Sequence, residues 1–274
     1  MKLTNTTFIV PLRIESSDRL RNVVVSSIYL LDNTDCTLII KEADSESVFE
    51  ASALPQIKEC IGEEKCKKLI HVFEKTDDQF FHRTKFLNDM VMMTETPIVV
   101  NYDCDILLPM ESYEICEKWI LDGEYDLVYP YGDGNWQYQI FTDDNLVSRF
   151  INNDYDFSIL RESSRIYDAK YGFCQFFSTE KYIKGGLENE NFIAYGPEDN
   201  ERYYRFNKLG YNVGRYNGNV YHMEHERTPN SWFTNPYIQK NNNLYEQILK
   251  FDTKQLLDYY KKQEYLKIRR AKNK

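Results

Sequence analysis

Six cysteines, Cys36, Cys60, Cys66, Cys104, Cys116 and Cys174, are scattered through this chain of 274 residues without a single CxxC pair or a preceding secretory signal. They are read as free thiols, not as a disulfide framework. No stretch approaches the ~18 apolar residues that a bilayer span requires. The sequence runs from Met1 straight into the strand-like Phe8-Ile9-Val10, so a cytoplasmic enzyme is the expectation. A surplus of basic residues is lacking too. The net charge of -9 argues against a nucleic-acid polymer as the main partner, because phosphate backbones need basic surface. A small anionic ligand that brings its own metal remains compatible. Glycine is missing where the first strand ends, at Arg13-Ile14-Glu15-Ser16-Ser17, which weighs against the glycine-rich phosphate loop of a nucleotidyltransferase. With no internal repeat and no low-complexity linker, the chain reads as one α/β domain with a helical tail.

Aromatic residues, by contrast, are abundant, with 22 Tyr and 16 Phe. They suit a cleft that stacks on sugar or base rings, although core packing is their usual use. The first ~130 residues alternate strand and helix patterns, which implies crossover connections and a mainly parallel sheet. Strands are expected at Thr7 to Leu12, Thr37 to Ile40, Leu69 to Phe73, Pro97 to Val100 and Asp126 to Tyr131. Ser16-Ser17-Asp18 caps a helix whose apolar positions Leu20, Val23, Val24, Ile28 and Leu31 follow helical spacing. Residues 44 to 67, with Pro55 and Gly62, predict a broken helix or an elaborated loop. Helices are expected at Thr84 to Met93 and Glu111 to Leu121. Gly132-Asp133-Gly134-Asn135 predicts a turn, read as that of a hairpin, and Tyr171 to Phe177 a further strand. A long loop over 184 to 197 should end by starting a helix at Glu198 that stops at Gly210. Arg215 to His222 reads as one extended segment, and Leu244 to Leu266 as one helix leading into the basic run Lys267 to Lys274.

Three segments could carry chemistry. The first is Asn101-Tyr102-Asp103-Cys104-Asp105, where alternation sends both aspartates to the same side as the chain leaves a strand with a buried face. Hard cations such as Mg²⁺ or Mn²⁺ take such oxygen ligands and neutralise charge on a departing phosphate. A D-x-D triplet also fits a solvated turn. The second is Tyr221-His222-Met223-Glu224-His225, which holds half of the four histidines. Asp105 with His222 and His225 would make a mixed oxygen and nitrogen site that suits Mn²⁺, whereas zinc lacks a thiol or third histidine at a closing spacing. A polar loop with two surface histidines is the alternative. In the third, Tyr195-Gly196-Pro197-Glu198-Asp199-Asn200, two carboxylates meet a helix start whose dipole favours their ionised form. They fit a general base, or simply capping acids.

Taken together, these segments resemble a family. Phe81-His82-Arg83-Thr84-Lys85-Phe86-Leu87-Asn88, followed by the D-x-D with Leu107-Leu108-Pro109 behind it, is similar to the F-N-R-A-K-L-L-N and D-V-D-L-[IL]-P stretches of metal-dependent beta-1,4-galactosyltransferases. Gly185-Gly186-Leu187-Glu188-Asn189-Glu190-Asn191-Phe192, running into Tyr195 to Asn200, resembles their G-F-x-N-x-[FY]-x-G-W-G-G-E-D-D segment. Val10-Pro11-Leu12-Arg13 resembles the V-P-[FY]-R opening. The collinear match over roughly residues 8 to 230 implies a GT-A fold, a Rossmann-like mainly parallel mixed sheet flanked by helices, with a C-terminal helix. Its domain would span 1–240, with a nucleotide-binding half at 1–132 and an acceptor and metal-completing half at 133–240. The C-terminal helix and basic tail would occupy 241–274.

The resemblance also implies roles. Asp105 would ligate Mn²⁺ (or Mg²⁺) while Asp103 lies by the donor's ribose and sugar. His225 matches a ligand histidine, and His222 stands where the vertebrate enzymes place a methionine ligand. Asp199 falls on the catalytic base and Glu198 on its carboxylate neighbour. Pro11, Arg13, Arg83, Gly186 and Tyr195 fall on the donor side, Tyr195 in place of a tryptophan, with Glu42 and Asp44 as weaker uridine candidates. The implied reaction is inverting transfer of a hexose or N-acetylhexosamine from a nucleotide sugar, with UDP as the expected nucleotide, to a hydroxyl of a glycan or lipid-linked glycan in bacterial capsule or other surface polysaccharide synthesis. Pro197 and Asn200 depart from the pattern, so donor sugar and acceptor do not carry over. The basic tail from Lys267 to Lys274 could hold the enzyme near anionic lipid, or simply be solvated. The rivals are a nucleotidyltransferase and a sugar-nucleotide-binding subunit that has lost catalysis.

Overall fold

The computed structural model describes residues 2–272. Its first strand, β1 (Thr6–Leu12), is buried throughout, and Ser16 then caps α1 (Ser17–Asn33) by accepting from the backbone of Arg19. β2 (Thr37–Asp44) follows. The expected broken helix is a π turn, Phe49–Ala53, that runs into α2 (Leu54–Lys65) and kinks at Gly62, whose φ of 81° lies in the left-handed region. β3 (Leu69–Lys75), α3 (Arg83–Val91), β4 (Ile98–Tyr102), a two-residue β5 (Ile106–Leu107) and α4 (Met110–Leu121) complete the first half.

The second half holds β6 (Leu127–Tyr129), β7 (Gln137–Ile140), α5 (Asp144–Asn152), α6 (Phe157–Arg161), β8 (Ser164–Ile166), β9 (Cys174–Ser178) and α7 (Thr179–Lys184). Beyond them come α8 (Glu198–Lys208), β10 (Val213–Arg215), β11 (Val220–Met223), α9 (Ile238–Leu249), α10 (Thr253–Lys262) and α11 (Glu264–Lys272). A seven-stranded sheet runs in the order β10-β6-β9-β4-β1-β2-β3, parallel except for β9, and a four-stranded sheet runs β5-β11-β7-β8. Helices flank the large sheet, giving the expected mixed α/β architecture.

Three expectations are corrected. Gly132 to Asn135 closes no hairpin, because β6 lies in the large sheet and β7 in the small one. Arg215 to His222 is likewise two strands, since β10 pairs with β6 and β11 with β7, both parallel. At both places the chain passes from the large sheet to the small one, and these two crossings run side by side, with Gly132 N donating to Gly218 O at 2.9 Å. The single helix expected over Leu244 to Leu266 is three. Asp252 and Gln255 form a reciprocal capping box that restarts the helix, and Gln263 is extended between α10 and α11.

The aromatic load goes largely to the core. Tyr102, Tyr113 and Phe176 pack around Phe8 edge to face, and Tyr29, Tyr129, Tyr131 and Tyr182 are buried. Ile248, Leu256, Tyr260 and Leu266 bring the C-terminal helices into that same core. Arg269, counted above in the basic tail, pairs with Asp89 at 2.6 Å and Glu190 at 2.8 Å, so it fastens α11 to α3 and is not a free cation. Residues 273 and 274 of that tail lie outside the described residues. Among the described residues, no helix is long and apolar enough to cross a membrane.

Candidate active site

Parallel strands leave their carboxyl ends on one edge of the sheet, and there the chain opens a cleft of about 360 Å³. Pro11 and Arg13 enter it from the end of β1, Asp103 and Asp105 from the end of β4, His222 from β11 and His225 from just beyond it. Arg83, Tyr195, Glu198 and Asp199 line it from the starts of α3 and α8. The short β5 explains how distant segments meet. It pairs antiparallel with β11 in the register His222 to Ile106, and Met223 N donates to Asp105 O at 2.7 Å. Asp105 is thereby fixed opposite the two histidines.

Asp105, His222 and His225 offer ligand atoms within 4.8 Å of one another, and all three are buried. His225 Nε2 stands 3.1 Å from Asp105 Oδ2, and His222 Nε2 lies 3.8 Å from Oδ1. His225 Nδ1 lies 2.7 Å from Glu226 O. A carbonyl only accepts, so Nδ1 carries a proton and Nε2 is the ring atom turned onto the carboxylate oxygen. Burial pushes His222 down to about 4 against the pull of Asp105, which leaves a neutral imidazole at neutral pH. Its Nδ1 is buried without a hydrogen-bond partner among the described residues. Burial opposes ionisation of Asp105, yet His222, His225 and Arg19 hold its carboxyl below the usual range. One oxygen and two nitrogen ligands in this state fit Mn²⁺ or Mg²⁺, with Mn²⁺ the better match to imidazole.

The other acidic centre is built on arginine. Arg83 Nη2 donates to Asp103 Oδ1 at 2.7 Å, and its Nη1 lies 3.5 Å from Asp199 and 3.8 Å from Glu198. Arg202 Nη2 donates to Asp199 Oδ1 at 2.6 Å. Burial, and after it the charge of Asp199, push Glu198 up to about 8, so it holds its proton beside an Asp199 clamped by guanidiniums. Tyr195 presents its ring beside this pair, and Asn235 and Asn241 donate to its carbonyl at 2.7 and 3.2 Å.

Three expected donor-side residues are not brought into the cleft. Glu42 is fully buried, and its carboxylate accepts from Ser47 and the backbone N–H groups of Val48 and Phe49, where it caps the π turn. Asp44 Oδ1 accepts from Ser45 N at the end of β2. Gly186 has φ +98°, and a Cβ there would come 2.7 Å from the Tyr260 ring. Arg13 does line the cleft, but it donates to Ala43 O at 2.8 Å and Gln79 O at 3.2 Å. Sequence reasoning missed Arg19 and Arg227, which line the cleft, and Tyr167 and Phe173, whose rings flank His222. It also missed Arg202, although the spacing of three from Asp199 on one helix face was a readable signal.

No protein-family model matches the sequence, and no curated protein sequence does either. Solved structures do match. PcManGT, a mannosyltransferase from Pyrobaculum calidifontis solved with GDP-Man and Mn²⁺, shares 17% identity over 85% of this chain and 58% of that one, with a TM-score of 0.51. GalNAc-T7, solved with UDP, GalNAc and Mn²⁺, shares 13% identity over 89% of this chain and 47% of its own, with a TM-score of 0.57. The catalytic domain of Drosophila beta1,4galactosyltransferase 7, in complex with xylobiose, is more distant: 14% identity, 80% and 71% coverage, and a TM-score of 0.42. At such identities the likeness is one of fold, and the chain has the GT-A glycosyltransferase fold. It spans about half the length of the first two proteins.

Proposed function

We propose that this chain is a metal-dependent inverting glycosyltransferase. It would move a hexose or N-acetylhexosamine from a nucleotide sugar, UDP-linked, to a hydroxyl of a glycan or lipid-linked glycan. The observation that carries this reading is the convergence of Asp105, His222 and His225 in the cleft that also holds Asp199. The two GT-A neighbours solved with Mn²⁺ and a nucleotide or nucleotide sugar support it. Asp105, His222 and His225 would hold Mn²⁺ or Mg²⁺, and the chemistry such an ion supplies is neutralisation of charge on the departing diphosphate.

The remaining work falls to the chain's own residues. Arg83 sets Asp103 toward the donor and shares its charge with Asp199. Asp199 would take the proton from the acceptor hydroxyl as that oxygen attacks the anomeric carbon, and a single displacement inverts the configuration. Glu198, protonated by burial, can donate a hydrogen bond to a sugar oxygen. Tyr195 offers a ring for sugar contact. Pro11 and Arg13 form the nucleotide wall of the cleft. A cytoplasmic setting in bacterial surface polysaccharide synthesis belongs to the same proposal. Any membrane contact would rest on tail residues other than Arg269.

Thermal-shift titration of UDP-Gal, UDP-GalNAc, UDP-Glc and UDP-GlcNAc with Mn²⁺ tests the reading, because a ligand that binds the native state raises its melting temperature by mass action. One donor should stabilise more than the rest, and only with metal. Metal-dependent hydrolysis of that UDP-sugar then separates an active enzyme from a binding subunit. Stabilisation by none of the four would overturn the proposed donor class.

A further inference from the structure

Helix α8 buries two arginines completely, and one of them leads into the cleft. Arg202 has no exposed side-chain surface, and Glu188, its partner, is 1% exposed. Arg202 Nε donates to Glu188 Oε1 at 2.6 Å, while Nη2 donates both to Glu188 Oε2 at 3.2 Å and to Asp199 Oδ1 at 2.6 Å. Glu188 is itself held firmly. The Tyr182 hydroxyl and Asn101 Nδ2, the latter at 3.2 Å, donate to its Oε1, and Asn88 Oδ1 accepts from its backbone N–H at 2.8 Å. Asn101 lies on β4, two residues before Asp103. The carboxylate of Asp199 is thus tied through one guanidinium to the strand that delivers Asp103 and Asp105.

Energetics make this arrangement informative. Burying an ion pair costs several kcal/mol per ion, and apolar residues of similar volume often serve stability equally well. Within the network, the one member that reaches the cleft is Asp199. Its Oδ1 is taken by Arg202, and its Oδ2 accepts no hydrogen bond among the described residues. A Cβ added at Gly172 would come 3.3 Å from Oδ2. The Gly172 carbonyl accepts from Tyr131 and from Gln175, each at 2.6 Å, which holds that bare stretch of backbone in place.

We infer that Glu188 and Arg202 are positioning residues that fix the Asp199 carboxylate, occupying Oδ1 so that Oδ2 alone faces the acceptor hydroxyl. This rests on the reading of Asp199 as the base. Removing Arg202 alone would strand a buried Glu188 charge and unfold the protein, so the test pairs Arg202→Met with Glu188→Gln, which removes both charges together. Three readouts are compared with wild type: a crystal structure, the affinity for UDP with Mn²⁺, and turnover of the UDP-sugars above.

The double variant should fold and bind UDP with Mn²⁺ as wild type does, while its Asp199 carboxylate rotates toward Arg83 and kcat falls roughly 10- to 100-fold with donor KM unchanged. Arg202→Lys, which keeps the charge but donates from a single nitrogen, should recover part of that loss. An Asp199 that keeps its wild-type position in the double variant, or an unchanged kcat, overturns the inference. Failure of the underlying reading shows separately. Asp199→Asn would then turn over donor like wild type, while the crystal structure still reports whether the pair sets the carboxylate.

Discussion

One cleft holds two acidic centres, and their partners differ in kind. Asp105 faces two imidazoles, whereas Asp103 and Asp199 face guanidiniums. An imidazole can shed its proton and offer a lone pair, and burial drives His222 to do so. A guanidinium never does, so it places Asp103 and Asp199 by charge and hydrogen bonds without a metal. On the proposed function, the same carboxylate chemistry therefore serves a metal centre on one side and a fixed base on the other.

Exchanging the partners breaks the comparison most severely. His225→Arg should convert the metal centre into a second guanidinium centre, and Mn²⁺ affinity measured by calorimetry should fall by roughly 10³-fold or more with the fold retained. On the other side, Asp199→Ala should reduce turnover of the UDP-sugar by about 10² to 10⁴, with UDP affinity unchanged. Near-full activity there would remove Asp199 from its role. Arg83→Met leaves Asp103 facing Glu198 and Asp199 without its counter-charge, and should cost about 3 kcal/mol in denaturant unfolding.

Glu198 sharpens the contrast further. It shares Arg83 with Asp103 and Asp199 and keeps its proton up to about pH 8, whereas an unfolded glutamate gives it up near 4.5. Between those values the native state binds more protons than the unfolded state, so this group's stabilisation is full below 4.5 and is lost as pH rises to about 8. Glu198→Gln lacks that loss. It should exceed wild type by about 2 kcal/mol at pH 9 and lose the advantage at pH 4, as read from melting curves.

How much of this was legible follows from how far each signal is local. The run Pro97 to Val100 and the two aspartates after it lie within one segment, and alternation alone places them at a strand end. His222 and His225 stand out because histidine is scarce. Their meeting with Asp105 was not derivable from periodicity, because β5 has two residues and two residues carry no period. The sheet crossings at Gly132 to Asn135 and at 216–219 were hidden for a related reason: strand pairing there is set by contacts with the other crossing. The C-terminal break was readable, since Asp252 with Gln255 is a capping box, but the apolar spacing on both sides favoured one helix. Glu42 illustrates the reverse error. An acid after a strand resembles a ligand contact, yet its carboxylate is consumed by backbone donors of the turn that follows. Arg202 and Glu188 lie far enough apart that only the fold makes them partners.

The most direct test is calorimetric titration of UDP into the wild-type protein with Mn²⁺, into the same protein with chelator, and into Asp105→Asn with Mn²⁺. UDP should bind in the first case and at least roughly 100-fold more weakly in the other two. Equal UDP affinity in all three would contradict a metal centre at Asp105, His222 and His225.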